Sequence, residues 1–261
     1  KAQGWSMRKP AKVLPTGESP CRREQFRIII HLIGLFEQMG ENPILSIDTK
    51  KKELLGTLTR NAPLLVQTGA PVAVYDHDFS YLAQGKAIPH GIFDLKANQG
   101  YLTIGNSHET ADFVVENLRW WWDQYGIHHY PDATSILILC DSGGANGHRH
   151  YRFRKLLQDW ARDIGITIVV AHYPPYCSKY NPIERKLFCH VHRTIKHTIL
   201  TSLQQIKERF LQTKTKQGLK VYVRVLDQHF PLKQPSHKHM IDSQRISYHP
   251  QMPKLSYRIS P

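Results

Sequence analysis

Two uninterrupted apolar stretches constrain the fold of this chain more than any other feature. Residues 135–140 read SILILC and residues 166–171 read ITIVVA. A basic amphipathic stretch from about residue 150 to 164 separates them and ends at Gly165. Strands that are apolar throughout are typical of strands covered on both faces, and the order strand, helix, strand favours a parallel pair. The sequence therefore predicts an α/β sheet flanked by helices.

The residues before this unit predict an antiparallel beginning to the same sheet. A short apolar strand is predicted at residues 44–48, and a hairpin is predicted at residues 91–95 and 101–104 with its turn at 98–100. Another strand is predicted at residues 72–75. Apolar residues at helical spacing predict helices at 23–39, 109–125 (closed by Gly126) and 203–213, and an alternating strand is predicted at 219–226.

Three carboxylates stand at the ends of predicted elements. Asp48 ends the first strand, Asp141 follows SILILC directly, and Glu184 lies in the first turn of a helix that Asn181-Pro182 opens. Ligands in α/β sheets collect at strand ends, so Asp48 and Asp141 can meet although they are distant in sequence. Carboxylate oxygens suit Mg²⁺, which serves phosphoryl displacement in two-metal sites. The pattern predicts a metal-dependent site for phosphoryl transfer.

The charge balance favours a polyanionic partner. The chain has 35 Lys and Arg against 21 Asp and Glu, a net charge of +14, and nucleic acid is the first candidate for such a chain. Its four cysteines form no CxxC pair, which indicates a reducing compartment. No apolar stretch approaches the roughly 20 residues of a membrane span, so no membrane partner is expected. The loop after Asp141 lacks the Lys-Ser/Thr pair of a P-loop, so no nucleotide cofactor is expected.

Six short motifs lie around the three carboxylates. They are IDTKKKE at 47–53 followed by Leu55-Gly56, HDF at 77–79, GKAIPHGI at 85–92, DSGGANG at 141–147, HYPP at 172–175, and SKYNPIE at 178–184. In these motifs the chain resembles the DDE transposases of insertion sequences, within the retroviral-integrase and RNase H-like superfamily. The match is close to the Rhodopirellula-type DDE transposases, and the NPIE element also resembles that of mariner-related transposases.

The resemblance implies an RNase H-like fold, a mixed five-stranded sheet with three antiparallel strands followed by two parallel ones. It implies that Asp48, Asp141 and Glu184 are the catalytic residues and hold Mg²⁺ or Mn²⁺, with two ions expected. The implied reaction is metal-dependent cleavage and strand transfer of transposon ends. The implied partners are double-stranded DNA, as transposon ends and as target, and further copies of the chain in a homo-oligomer on DNA. The implied location is the bacterial cytoplasm, in association with the nucleoid.

A second set of residues is predicted to support this site. His172 follows a buried strand and is expected either to contact substrate or to be structural. The loop after Asp141 either cradles phosphate through backbone N–H groups or only turns the chain. The supporting residues of the site are His172, Asn181, Gly143, Gly144 and Asn146. Basic residues near the carboxylates are expected to meet DNA phosphates, although an ordinary solvated face would look the same; they are Lys50, Lys51, Arg149, Arg152, Lys179 and Arg185.

The chain is predicted to divide into three parts. Residues 1–40 are expected to be a linker and leading helix that follow an N-terminal DNA-binding module, and residues 41–200 the catalytic domain. Residues 201–261 are expected to be a C-terminal extension with a helix, a strand and a basic tail. Of the three consecutive tryptophans at 120–122, two are expected to pack in the core.

Several alternatives remain open at this point. The domain could be a plain RNase H-like nuclease, or a transposase remnant that only binds DNA. Asp76 and Asp78 are competing carboxylates that are expected to be loop residues, and Glu53 is expected to be solvated. A zinc site is the less favoured explanation of four further residues, because they lack paired ligand spacing; these are Cys177, Cys189, His190 and His192.

Overall fold

A computed structural model describes residues 21–58, 63–64, 66–70, 72–75, 79–236 and 238–261. Nine strands in these ranges form one sheet. Their bounds are β1 Ile44–Thr49, β2 Glu53–Leu55, β3 Gly85–Asp94, β4 Gln99–Gly105, β5 Ser135–Cys140, β6 Thr167–His172, β7 Lys220–Leu226, β8 Ile246–Tyr248 and β9 Ser256–Ile259.

Helices cover both faces of this sheet. They are α1 Arg22–Gln38, α2 Ala111–Trp121, α3 Ile127–His129, α4 Tyr151–Ile164, α5 Cys189–Ile195 and α6 Leu203–Leu211, and π-helical turns at Trp122–Gly126 and Glu184–Phe188 lead into α3 and α5. None of the helices in the described part of the chain is long and apolar enough to span a bilayer.

The middle of the sheet has the predicted RNase H-like arrangement. The strand order is β7-β4-β3-β1-β5-β6-β9-β8, with β2 paired to β3 off this path. β1 pairs antiparallel with β3, and β3 pairs antiparallel with β4. β1 and β5 are parallel, and so are β5 and β6. The predicted mixed sheet of three antiparallel and two parallel strands is therefore confirmed, and additional strands extend it at both edges.

Successive side chains of β1 point alternately into two different core layers on the two faces of the sheet. Leu45 and Ile47 pack into a core with residues of α2 and α4. Ile44 faces the opposite layer, where it packs with Ile29 of α1. Because successive side chains of a strand point to opposite faces, Ser46 and Asp48 share the face of Ile44. The same face carries the helical segment that contains Glu184, which packs through Ile183 and Leu187.

The sequence misplaced the strand that follows β1. Residues 72–75 form no strand, and Val72 and Tyr75 are about half exposed. The short strand β2 pairs instead with the first residues of β3, from Glu53 opposite Ala87 to Leu55 opposite Gly85. With β1 and β2 on one side of β3 and β4 on the other, no free edge of β3 remains for residues 72–75.

Gly126 does not end the second helix as predicted. Its backbone φ is −59°, and the helical path continues through α3. A β-carbon at this position would come within 2.6 Å of the Trp122 ring and 3.0 Å of the Trp121 ring. Gly126 is therefore required for close packing of the tryptophans. Trp121 and Trp122 are buried and Trp120 is partly buried, which confirms the prediction for two of the three.

The C-terminal residues belong to the same sheet. β7 lies parallel to β4 over its whole length. β9 adds antiparallel to β6, and β8 adds to β9. The two short C-terminal strands were not predicted because β8 and β9 have only three and four residues, too few to show a period.

Two glycines in the sheet make room for the helical segment of Glu184. A β-carbon on Gly91 would lie 2.6 Å from Phe188 Cε1 and 2.8 Å from Ile183 Cδ1. A β-carbon on Gly100 would lie 2.4 Å from Leu187 Cδ1 and 3.2 Å from its Cγ. The segment therefore packs directly against the backbone of β3 and β4.

We predict that Gly100→Ala destabilises the fold by about 1–3 kcal/mol, the usual cost of overpacking a core. Gly34→Ala is the matched control, since Gly34 lies in α1 with no atom within 4 Å of the added methyl group. The control should be neutral or more stable by up to about 1 kcal/mol, because alanine favours helix. Urea unfolding measures both free energies, and equal midpoints for the two variants would contradict this packing.

Candidate active site

Asp48 and Asp141 lie at the same level of two neighbouring strands. In the parallel pair β1–β5, Ser46 is opposite Leu139. Asp48 is two residues beyond Ser46, and Asp141 is two residues beyond Leu139. Both carboxylates therefore reach the edge of the sheet where β1, β5 and β6 end. The two strands are neighbours, which is the condition for the two aspartates to meet, although 93 residues separate them in sequence.

Hydrogen bonds from Ser46 position the helical segment that carries Glu184. The Ser46 hydroxyl donates to Asn181 Oδ1 (2.5 Å) and accepts from the Ile183 N–H (2.9 Å). The Asn181 amide donates to the Ile47 carbonyl (2.9 Å). Ser46 thus takes the capping role that the sequence assigned to the Asn181 side chain, and Asn181 binds β1. These three bonds, named the Ser46 lock below, hold Glu184 beside Asp48.

The turn that contains Glu184 is π-helical from Glu184 to Phe188. Such wide turns are rare and occur often at functional sites. Ile183 and Leu187, on either side of Glu184 in this segment, are fully buried, whereas Glu184 itself is only half-buried. The segment is therefore anchored by apolar contacts, and its carboxylate remains accessible.

The three carboxylates interact electrostatically. Burial, helped by the charges of Asp141, Glu184 and Glu109, raises the pKa of Asp48 to about 8, although the Thr49 N–H lowers it. Burial raises the pKa of Asp141 to about 6, and Glu109 and Glu184 contribute. Burial also raises the pKa of Glu184, while the charge of Lys50 lowers it. The charged forms are costly here, as expected where like charges crowd together in a partly buried site.

The arrangement fits hard oxygen-binding cations. Asp141 Oδ1 is buried and has no hydrogen-bond partner, and a buried carboxylate oxygen without a partner is strongly unfavourable unless a cation or donor satisfies it. Across the described residues, no three His, Cys, Asp or Glu side chains already converge closely enough to hold one metal ion. The carboxylates therefore act on one another electrostatically without forming a closed ligand cluster in the described residues.

His172 supports Asp141 from the interior. It is fully buried, and its Nδ1–H donates to the Asp141 carbonyl at 2.9 Å. Cys140 Sγ lies 3.2 Å from the same nitrogen. Burial lowers the pKa of His172 to about 4, so its ring is neutral near pH 7. Of the two expectations for His172, this placement favours the structural one, because the ring does not reach the surface where substrate would bind.

Lys50 and Glu53 form a buried ion pair inside the site. The prediction that Glu53 is solvated was wrong, because β2 places Glu53 against β3 and Lys50 neutralises its charge. The ammonium group of Lys50 also acts on Glu184. Lys50 therefore lies inside the site as a countercharge and offers little surface to DNA.

Glu109 is a fourth carboxylate near the site, and no sequence pattern pointed to it. It lies just before Thr110, the residue whose hydroxyl caps α2. Its charge acts on both Asp48 and Asp141, and its carboxylate lies 3.8 Å from the ammonium of Lys52. Glu109 belongs to no motif, and only the three-dimensional fold brings it to this edge of the sheet.

The remaining predicted residues fall into three groups. Arg152 is held by Asp112 of α2 through two hydrogen bonds of 2.5 and 2.6 Å. In the loop after Asp141, Gly144 has a left-handed backbone (φ 64°), Gly143 is extended, and Asn146 is buried. Four basic side chains are exposed and could meet DNA, namely Lys51, Arg149, Lys179 and Arg185.

The alternative sites find no support. The four cysteines are free, and Cys189 donates to the Arg185 carbonyl within its own helical segment. Within the described ranges, Cys177, Cys189, His190 and His192 form no three-residue ligand group. Asp76 and Asp78, like residues 1–20 of the predicted linker and His77 of the second motif, lie outside the described residues.

A family comparison accounts for this combination of fold and carboxylates. The model of the Rhodopirellula transposase DDE domain matches residues 1–261, the whole sequence. The chain belongs to this transposase family. A search of curated proteins by sequence gave no match.

Solved structures of Mos1 transposase share the fold of this DDE domain. A Mos1 paired-end complex with the left transposon end has a TM-score of 0.53 at 15% identity, covering 79% of this chain and 58% of the Mos1 chain. A pre-cleavage Mos1 transpososome has a TM-score of 0.53 at 13% identity, with the same coverage. A mariner Mos1 paired-end complex with Mg has a TM-score of 0.51 at 14% identity, covering 78% and 57%. The DDE domain thus spans less than three fifths of the Mos1 chains, and at these identities the likeness shows the fold alone.

We predict that Ser46→Ala destabilises the domain by about 1–3 kcal/mol, because it leaves the buried Ile183 N–H without its acceptor and Asn181 Oδ1 without its donor. Ser247→Ala, an exposed serine of β8, is the control and should change stability by less than about 0.5 kcal/mol. Chemical unfolding of both variants tests the Ser46 lock. If Ser46→Ala were as stable as the control, the lock would contribute nothing.

Proposed function

We propose that this domain cuts DNA phosphodiester bonds at transposon ends and joins the ends to target DNA, with Asp48, Asp141 and Glu184 as the ligands of two Mg²⁺ or Mn²⁺ ions. The observation that carries the proposal is the meeting of these carboxylates at one sheet edge, with raised pKa values and an unsatisfied Asp141 oxygen. Membership of the DDE transposase family supports the same reaction.

The residues of the site match the requirements of divalent cations. Carboxylate oxygens are preferred by Mg²⁺ and Mn²⁺, and the site offers them from two strand ends and one helical turn. When bound, a pair of such ions activates the attacking oxygen and stabilises the leaving oxygen of an in-line displacement. Mos1 complexes with Mn and with Mg are among the solved structures of this fold, which favours the same ions here.

The protein itself positions these ligands and limits their movement. The Ser46 lock fixes Glu184 relative to Asp48, and His172 holds the Asp141 carbonyl from behind. The buried ion pair of Lys50 with Glu53 places one positive charge close to Glu184. Held in this way, the carboxylates remain near each other despite their repulsion, and they are ready to share cations.

DNA is the partner that the surface charge favours. The net charge is +14, and the exposed residues Lys51, Arg149, Lys179 and Arg185 lie next to the carboxylates in sequence. Such side chains neutralise phosphates without reading sequence. We propose double-stranded DNA as substrate, both as transposon end and as target, and a homo-oligomer on DNA as the working form. The Mos1 structures of the same fold are paired-end complexes and transpososomes, which supports this. A bacterial cytoplasmic site of action, at the nucleoid, follows from the same proposal.

We predict that Asp141→Asn lowers the rate of Mg²⁺-dependent DNA cleavage by more than about 100-fold, since losing even an outer partner of a metal site costs about 10–100-fold. Asp132→Asn, an exposed carboxylate in the turn before β5, is the control and should cleave as the unmodified protein does. Nicking of supercoiled plasmid measures cleavage, and joining of labelled 3′-hydroxyl ends to plasmid measures strand transfer.

These two assays separate the alternatives. Cleavage without joining would identify a nuclease, and DNA binding without either activity would identify a remnant. Unchanged cleavage by Asp141→Asn would contradict the proposed site itself.

A further inference from the structure

A cavity of about 410 Å³ opens on the same edge of the sheet as the carboxylates. Its lining residues are Lys86, Asn106, Ser107, His108, Asp227 and His229, and it is named the His108 pocket here. Lys86 lies near the beginning of β3, and the other residues follow the ends of β4 and β7. β3 runs antiparallel to β1, and Thr49 at the end of β1 pairs with His90 of β3. The β3 residues before His90 therefore lie beyond the end of β1, at the same end of the sheet as Asp48.

The pocket is joined to the carboxylate site by a single peptide bond. His108 precedes Glu109, whose charge acts on Asp48 and Asp141 and whose carboxylate pairs with Lys52. On its other side, Lys86 pairs in the sheet with Leu54 of β2, next to the buried Glu53. The pocket and the carboxylates therefore lie at the same end of the sheet, with His108 and Glu109 adjacent in the chain.

The polar groups of the pocket are of three kinds. Lys86 supplies a cation that makes no ion pair with the described residues. Asp227 supplies carboxylate oxygens, one of which accepts from the Asn106 amide at 2.7 Å. His108 and His229 supply two rings that meet edge to face with centroids 5.8 Å apart, and the buried His108 Nδ1 has no hydrogen-bond partner. Ser107 is committed to the Gln228 carbonyl and the Phe230 N–H.

This combination suits a nucleotide better than a metal ion. Within the described part of the chain, His108, His229 and Asp227 do not form a three-residue metal-ligand group. A nucleotide has an anionic phosphate for Lys86, a planar base for the imidazole faces, and base N–H groups for the carboxylate and the free ring nitrogen. The cavity is open to solvent on one side, and its volume lies within the range of small-ligand sites.

We propose that the His108 pocket binds one unpaired nucleotide of the DNA strand that lies across the carboxylates. A base inside a duplex is stacked and paired, and it must leave the stack to enter a pocket of this kind. The pocket would therefore hold a strand end or a nucleotide extruded beside the cleavage position. This inference rests on the proposed function, since it takes DNA at the carboxylates as its starting point.

The test measures DNA binding in EDTA, where no metal-dependent cleavage takes place. Fluorescence anisotropy compares a short blunt duplex with the same duplex carrying a few unpaired nucleotides at one end. Stacking of one base contributes about 1–3 kcal/mol, so the unmodified chain should prefer the extended duplex by about tenfold. The double variant Lys86→Ala/His229→Ala should lose this preference and keep its affinity for the blunt duplex.

The control is Lys216→Ala/His128→Ala, which removes the same residue types from exposed positions at the opposite edge of the sheet and should keep the preference. If the double pocket variant does not fold, as judged by thermal unfolding, His229→Ala alone is used. Three results would overturn the proposal: no preference in the unmodified chain, a preference kept by the pocket variant, or equal loss of affinity for both probes. None of them depends on catalysis, so failure here is distinguishable from failure of the proposed reaction.

Discussion

The Ser46 hydroxyl is the interaction on which the geometry of the candidate site depends. It lies on β1, the central strand of the RNase H-like core, two residues before Asp48 and on the same face. By accepting from Ile183 and donating to Asn181, it fixes the start of the helical segment that carries Glu184. Gly91 and Gly100 complete the arrangement, because a side chain at either position would push that segment away from the sheet. Asp48 and Glu184 are thus positioned by the same few contacts.

The second constraint is the crowding of negative charge. The charges of Glu184 and Glu109 act on both Asp48 and Asp141. Burial makes the charged forms of Asp48, Asp141 and Glu184 costlier. A fold that keeps such groups together without a counterion accepts a stability cost that divalent cations would remove. Lys50 offsets part of this charge, but it is shared with Glu53. The site is therefore a concentration of negative charge on a chain whose net charge is strongly positive.

The sequence predicted correctly those elements that have a periodic apolar pattern or a marked end. The apolar β5 and β6, the left-handed Gly165 that ends α4, and the carboxylates at element ends all lie where the sequence predicted. The predictions were wrong where contacts between residues distant in sequence determine the local structure. Residues 72–75 have strand-forming side chains but find no free strand edge to pair with. Gly126 is a residue type that commonly ends helices, but here it allows the tryptophans to pack closely. Ser46 and Glu109 lie in no motif, because their roles come from residues that are distant in sequence.

The central claim is that Asp48, Asp141 and Glu184 together bind divalent metal ions. A crystal structure of the domain grown with Mn²⁺, with the ions located by their anomalous scattering, tests it most directly. We expect manganese at this sheet edge, within about 2.0–2.3 Å of oxygens of all three carboxylates, with Asp141 Oδ1 no longer unpartnered. Manganese bound elsewhere, or an edge that remains empty at saturating Mn²⁺, would contradict it.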